Sequence, residues 1–237
     1  MVCMKQVFKY IWWTLALVVL LAPACSKADF EMGPDASYFD KGAKEGVAIG
    51  TVRSQDGVRY IRLDGVSRSQ VMNPNVIKDI PDGTRVYLEF RYVVDASVAS
   101  FCSDAILVEW ASALDVGAVA AEPYENAIKP SGNDPVDILV DWMTSLEDGF
   151  LTLHYSIPSS GNVKHDFFLY PGKSKEEWQL VHDAHGDTKG ALIDGIICFD
   201  VAGLLPDAME GTVKLSLDYF DLNNTNKRLT VEYQSPK

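Results

Sequence analysis

From residue 46 onward, apolar side chains return at every second position in short runs, and no stretch holds a helical period of 3.6 for more than a turn or two. Arg85–Val94 is the clearest run. Val86, Leu88, Phe90, Tyr92 and Val94 share one face, and Arg85, Tyr87, Glu89 and Arg91 share the other. A period of two is what a half-buried strand requires. Val58–Leu63 sets Ile61 and Leu63 against Tyr60 and Arg62. Leu151, Leu153, Tyr155 and Ile157 alternate with Thr152, His154 and Ser156, and Val213, Leu215, Leu217 and Tyr219 with Thr212, Lys214, Ser216 and Asp218. A chain patterned this way folds as an all-β protein.

The runs fall into two groups. Over residues 46–122, strands are expected at 47–52, 58–63, 85–94, 105–110 and 116–121, with Gln55-Asp56-Gly57 and Pro81-Asp82-Gly83 as turns. Five strands in so short a stretch predict a small OB-like barrel, because closure removes exposed edges. Residues 123–135 carry Pro123, Pro130 and Pro135 with Gly, Ser and Asn, the composition of a linker. Over residues 136–235, strands at 151–157, 163–170, 178–182, 196–201, 213–219 and 229–233 predict a β-sandwich. The one helical turn expected is around Lys173–Glu177.

Ahead of both lies a different kind of segment. The first ten residues carry Lys5 and Lys9 and no acid, and Ile11–Ala22 is apolar throughout apart from Thr14. That run suits a signal peptide and falls short of the roughly 20 residues that span a bilayer. Ala22-Pro23-Ala24-Cys25 resembles a bacterial lipobox, with Ala22 where leucine is usual. Residues 1–24 are therefore expected to be removed. Cys25 becomes a lipidated N-terminus, residues 25–45 a flexible tether, and the membrane a partner through the lipid anchor. The location expected is the cell envelope, at the outer membrane. The alternatives are an ordinary Ala-x-Ala-like cleavage site or an uncleaved anchor.

The formal charge is −12, and loss of Lys5 and Lys9 with the signal takes it to −14. So acidic a chain repels phosphate backbones, so no nucleic acid is expected as a partner. Cys102 and Cys198 are the cysteines left after Cys3 and Cys25, and two lone cysteines are no disulfide framework. They read as small buried hydrophobes.

Two constellations are candidate sites. Tyr60, Arg62, Tyr87 and Arg91 are the aromatic and cationic residues of an outer barrel face, where OB folds bind oligosaccharides or extended chains. A glycan or peptide is the ligand this predicts, and the plainer account is a solvated sheet face. His182, Asp183, His185 and Asp187 crowd into VHDAHGD, so His182, His185 and Asp187 are the candidate metal ligands. Strand phase favours another account. His182 is in phase with Trp178 and Leu180, and His165 with Phe167 and Leu169, which predicts two inward histidines hydrogen-bonded to backbone or to polar neighbours. No G-x-S-x-G elbow, phosphate loop or CxxC is present, and no cofactor is expected. Asp137, Asp141, Glu147 and Asp148 form no specific pair in so acidic a chain.

Taken in order, GTVRSQDGVRYIRLDG, PDGTRVYLEFRYVVD, DPVDILVDW, FLTLHYSI, KHDFFLY, WQLVHDAHGD and ICFDVAGL resemble the NigD-like lipoproteins of Bacteroidetes. The resemblance implies an OB-fold domain followed by a β-sandwich on a lipid-anchored envelope protein with no established enzymatic activity. A link to bacteriocin immunity follows only from the context of the family's name. The function expected is binding or scaffolding of an unidentified protein or glycan.

Overall fold

The computed structural model describes residues 45–65, 68–127, 130, 132–205 and 212–234. The expected signal, Cys25 and all of the expected tether but Glu45 lie outside them. Strands β1 (Glu45–Gln55), β2 (Val58–Leu63), β3 (Arg68–Val71), β4 (Arg85–Tyr92) and β5 (Asp104–Ala113) close into a barrel in the order β1-β2-β3-β5-β4. β3 and β5 are parallel and the other pairs antiparallel, which makes this an OB-like barrel. Asp56 and Gly57, at φ 51° and 78°, form the two-residue turn that joins β1 to β2. The inward row of Val52, Ile61, Leu63, Val86, Leu88 and Phe90 is buried, and a 3₁₀ turn at Pro74–Ile77 adds the wholly buried Ile77. β3 lies in a stretch whose sequence reads as loop. Four residues with two serine and glutamine positions are too few to show a period.

The sandwich holds β6 (Asp115–Val116), β7 (Ala118–Val119), β8 (Asp137–Leu139), β9 (Ser145–Glu147), β10 (Phe150–Ser159), β11 (Asp166–Pro171), β12 (Glu177–Asp183), β13 (Ala191–Asp200), β14 (Thr212–Phe220) and β15 (Asn226–Gln234). One sheet runs β6-β13-β10-β8 with β9 also on β10, and the other runs β15-β14-β12-β11-β7. Leu153, Ile157 and Phe199 from the first sheet meet Leu169, Leu180 and Leu217 from the second in one core. Each such side chain contributes about 1.5–3 kcal/mol by leaving water. Cys102 and Cys198 are free and buried.

The strand expected at 116–121 belongs to the sandwich, not to the barrel. Its two halves pair with different sheets, β6 on β13 and β7 on β11, so residues 115–119 cross between them. Gly117 permits the crossing because a Cβ there would strike the Phe199 ring. The chain therefore leaves the barrel at Leu114. Residues 134–136 run along the sandwich, with the Asp134 and Val136 amides donating to the carbonyls of His182 and Phe220. At Lys173–Glu177 the chain makes a turn that ends in β12 rather than a helical segment. Barrel and sandwich lie in a single compact unit.

Candidate functional site

Part of the outer barrel face expected to bind ligand is covered by the sandwich. Thr51 of β1 pairs in register with Arg62 on one side and Arg85 on the other, so the three share a row. Thr51 and Arg85 are fully buried. Arg85 grips Asp64 with both Nη atoms, at 2.6 and 2.5 Å, donates to Thr152 Oγ1 of β10 at 3.0 Å and stacks over Phe150. Arg53 and Arg62 both donate to Asp148, each at 2.8 Å. Asp148 and Gly149, at φ 51° and 85°, are the two-residue turn of the β9–β10 hairpin, whose tip is thereby pinned to the barrel. Arg62 is thus a seam residue, committed to a carboxylate. Tyr60 is buried against Phe101 at 5.6 Å and offers no surface for stacking.

Two of the four expected residues remain at the surface, in company the sequence did not announce. β5 carries a bulge: Trp110 faces Glu89 and Val108 faces Phe90, so Glu109 is an extra residue. The bulge turns Glu109 and Trp110 out together. Glu109 pairs with Arg91, and Trp110, half-exposed, sets its ring edge-on to Tyr87 with centroids 6.0 Å apart. Tyr87 then meets Trp142, from the β8–β9 connection, at 6.2 Å and a 33° tilt. Trp110, Tyr87 and Trp142 form a strip from the barrel on to the sandwich.

His182, His185 and Asp187 do not converge on a point. Among the described residues no group of three or more His, Cys, Asp or Glu side chains is arranged to hold a metal ion. His182 Nδ1 lies 3.1 Å from the carbonyl of Pro135, which can only accept, so this nitrogen carries a proton. Burial and the neighbouring His165 hold the His182 pKa below its ordinary value, leaving the ring neutral and Nε2 an acceptor. His165 Nδ1 therefore donates to it, at 2.8 Å. At the far side of the ring, His165 Nε2 faces Asp187 at 3.3 Å. Asp187 already accepts from the Ser159 hydroxyl at 2.8 Å and the Ser160 amide at 3.0 Å. Burial alone would raise its pKa, but these donors and His165 hold it down to about 2. His185 stands apart in the turn after β12, with Nε2 2.8 Å from Asp166, which raises its pKa. Asp183 is buried; its carboxylate lies against Gly132 and caps the His185 amide.

The family model for the NigD-like C-terminal beta sandwich domain matches residues 120–233. The chain carries a NigD-like sandwich. Solved structures with the same fold include a protein described as toxin-related from Parabacteroides distasonis, 22% identical at a TM-score of 0.65 over 81% of this chain and 94% of that one. A NigD-like immunity protein from Bacteroides caccae is 16% identical at 0.52, over 82% and 98%. A protein described as a lipoprotein from Bacteroides fragilis is 11% identical at 0.59, over 81% and 100%. At these identities the likeness is one of fold. No curated protein matches the chain.

Within the NigD-like sandwich, the order Ser159–Asp187–His165–His182 sets a carboxylate between serine and imidazole. A nucleophilic serine needs the imidazole beside it to take its proton. Here the hydroxyl is held by the carboxylate and the adjacent ring is already a donor, so this chain of hydrogen bonds braces the fold. It also matches the account of inward, hydrogen-bonded histidines that strand phase favoured. Sequence reasoning missed Trp110 and Trp142. Nothing in the alternation marks the bulge that exposes the first, and the second meets Tyr87 only once barrel and sandwich are packed.

Proposed function

We propose that this is an exported, lipid-anchored binding protein of the cell envelope, without a catalytic role, which meets its ligand on the strip of Tyr87, Trp110 and Trp142. The observation that carries the reading is the half-exposed Trp110, turned out by a bulge next to two further aromatic rings. Aromatic side chains held at a surface by rigid strands are what binding faces are made of. The seam supports the reading too, because its ion pairs hold the two halves of the strip in one geometry. Anchorage rests on Cys25 and on the description of the Bacteroides fragilis relative as a lipoprotein. A place in immunity rests on the name of the Bacteroides caccae relative and is compatible with binding.

Cells producing Cys25→Ala are expected to release the protein into the soluble fraction, with loss of lipid labelling. Purified Trp110→Ala/Trp142→Ala protein is expected to lose most of its retention on isolated envelopes while its melting temperature stays within a few degrees of wild type. Equal retention of variant and wild type would remove the strip from the proposal, and a Cys25→Ala protein still bound to membranes would remove the anchor.

A further inference from the structure

We infer that the strip takes a neutral oligosaccharide. The inference rests on the proposed role of the strip and names its ligand class. Three observations carry it. First, the rings form a step: Tyr87 and Trp142 lie 33° apart, and Trp110 stands at 68° to Tyr87. A pyranose presents C–H bonds on its faces and hydroxyls around its edge, so it packs on an aromatic face while its rim needs hydrogen-bond partners. Second, those partners are present and held in place. Arg91 and Glu109 are paired beside the rings on the same β4–β5 face, and Glu89, cross-strand to Trp110, is exposed. Planar carboxylate and guanidinium groups offer two acceptors or several donors in a fixed plane, which suits vicinal hydroxyls.

Third, the charge selects among glycans and against other ligands. Arg91 is neutralised by Glu109, Glu89 has no ion pair among the described residues, and the chain as a whole is acidic. Uronic acids, sulfated sugars and nucleic acids would all be repelled. A protein partner is less well served, since a hot spot of this kind needs a desolvated centre within a patch of about 800 Å² on each partner. The strip is one side chain wide with three charged residues along it. Ring centroids 6.0 and 6.2 Å apart in succession span more than one sugar, so the strip suits a length of polymer better than a single sugar. OB folds that bind saccharides use the face of strands 2 and 3. Here Tyr60 and Arg62 close that route, and β4 and β5 supply the rings.

Affinity electrophoresis of the full chain through gels containing soluble starch, dextran or yeast α-mannan tests the inference, with polygalacturonate and heparin as anionic comparisons. Retardation by at least one neutral polysaccharide is expected, falling tenfold or more in Trp110→Ala and in Tyr87→Ala. Arg228→Ala, a distant surface change, should match wild type. Failure of every neutral polysaccharide to retard wild type, retardation that survives Trp110→Ala, or preference for an anionic polymer would each overturn it. If no glycan is bound yet envelope retention still depends on Trp110 and Trp142, the strip binds a protein, and only the ligand class falls. If retention is also independent of them, the proposed function falls with it.

Discussion

Glu147 in the seam and Asp187 in the sandwich are both carboxylates drawn out of water, and they sit at opposite ends of the acid range. The Glu147 pKa is pushed up to about 7, first by burial and then by the charges of Asp64 and Asp148, against the pull of Arg62 and Arg85. The Asp187 pKa is held down to about 2 although burial raises it too, because Ser159, Ser160 and His165 all aim donors at it. Nearby positive charge is therefore not the deciding factor. The seam has three guanidiniums, but Arg85 is spent on Asp64 and Arg53 and Arg62 on Asp148. No hydrogen bond from a described residue reaches the Glu147 carboxyl. Directed hydrogen bonds, rather than net charge, decide which buried carboxylate stays ionised.

The sharpest way to break this comparison is to remove the donor that the seam is built on. Arg85→Met would leave Asp64 in the seam with the Ser145 hydroxyl as its remaining donor among the described residues. Removing one partner of a buried pair typically costs about 3–5 kcal/mol, and a loss of that size is expected in urea denaturation. Arg85→Lys should recover little of it, since a single ammonium cannot reproduce the two-pronged grip on Asp64 and the bond to Thr152. A loss below about 1 kcal/mol would mean that the seam is not held by this pair.

Glu147→Gln should have the opposite sign and a smaller size. A carboxyl whose folded pKa lies above its unfolded value binds a proton more tightly when folded, so stability falls as pH rises from about 4.5 to about 7 and the full cost is present above 7. The glutamine variant is expected to be more stable than wild type at pH 8 by about 2 kcal/mol, allowing for solvent screening, and level with it near pH 4. Midpoints of urea denaturation across pH 4–8 decide this. A variant less stable than wild type at pH 8 would show that Glu147 has an ionic partner in the seam after all.

The contrast between the two carboxylates also marks how far the sequence can be read. Alternation of period two located most strands of both halves, since each long strand has one face in a core and one outside it. It located His182 and His165 on the inward face as well. What it missed depends on packing between the halves. Arg85 lies on the polar face of its strand and looks solvated from the sequence, yet the sandwich covers that end of the face and buries it. Ser145–Glu147 is too short to show a period, although Asp148-Gly149 between Leu146 and Leu151 is a strong local signal for a hairpin. The bulge at Glu109 breaks the phase of β5 and puts two consecutive residues outside, so alternation could not place Trp110. Nor could local pattern show that Ser159 and Ser160 would direct their donors at Asp187.

The smallest expected effect comes from Asp187→Asn. The amide keeps one acceptor for Ser159 or Ser160 but turns N–H groups towards further donors, so one contact in the chain is lost and His165 no longer faces a full negative charge. The acid limb carries the diagnosis. A carboxyl whose folded pKa lies below its unfolded value stabilises the fold fully above the unfolded pKa, near 4, and loses that contribution as pH falls through about 2. Wild type should therefore exceed the variant by a constant margin from pH 7 down to about 4, and the margin should close between pH 4 and 2. If the margin does not change across that range, Asp187 is not the ionised acceptor of the chain. The contrast with Glu147 would then lose its physical basis.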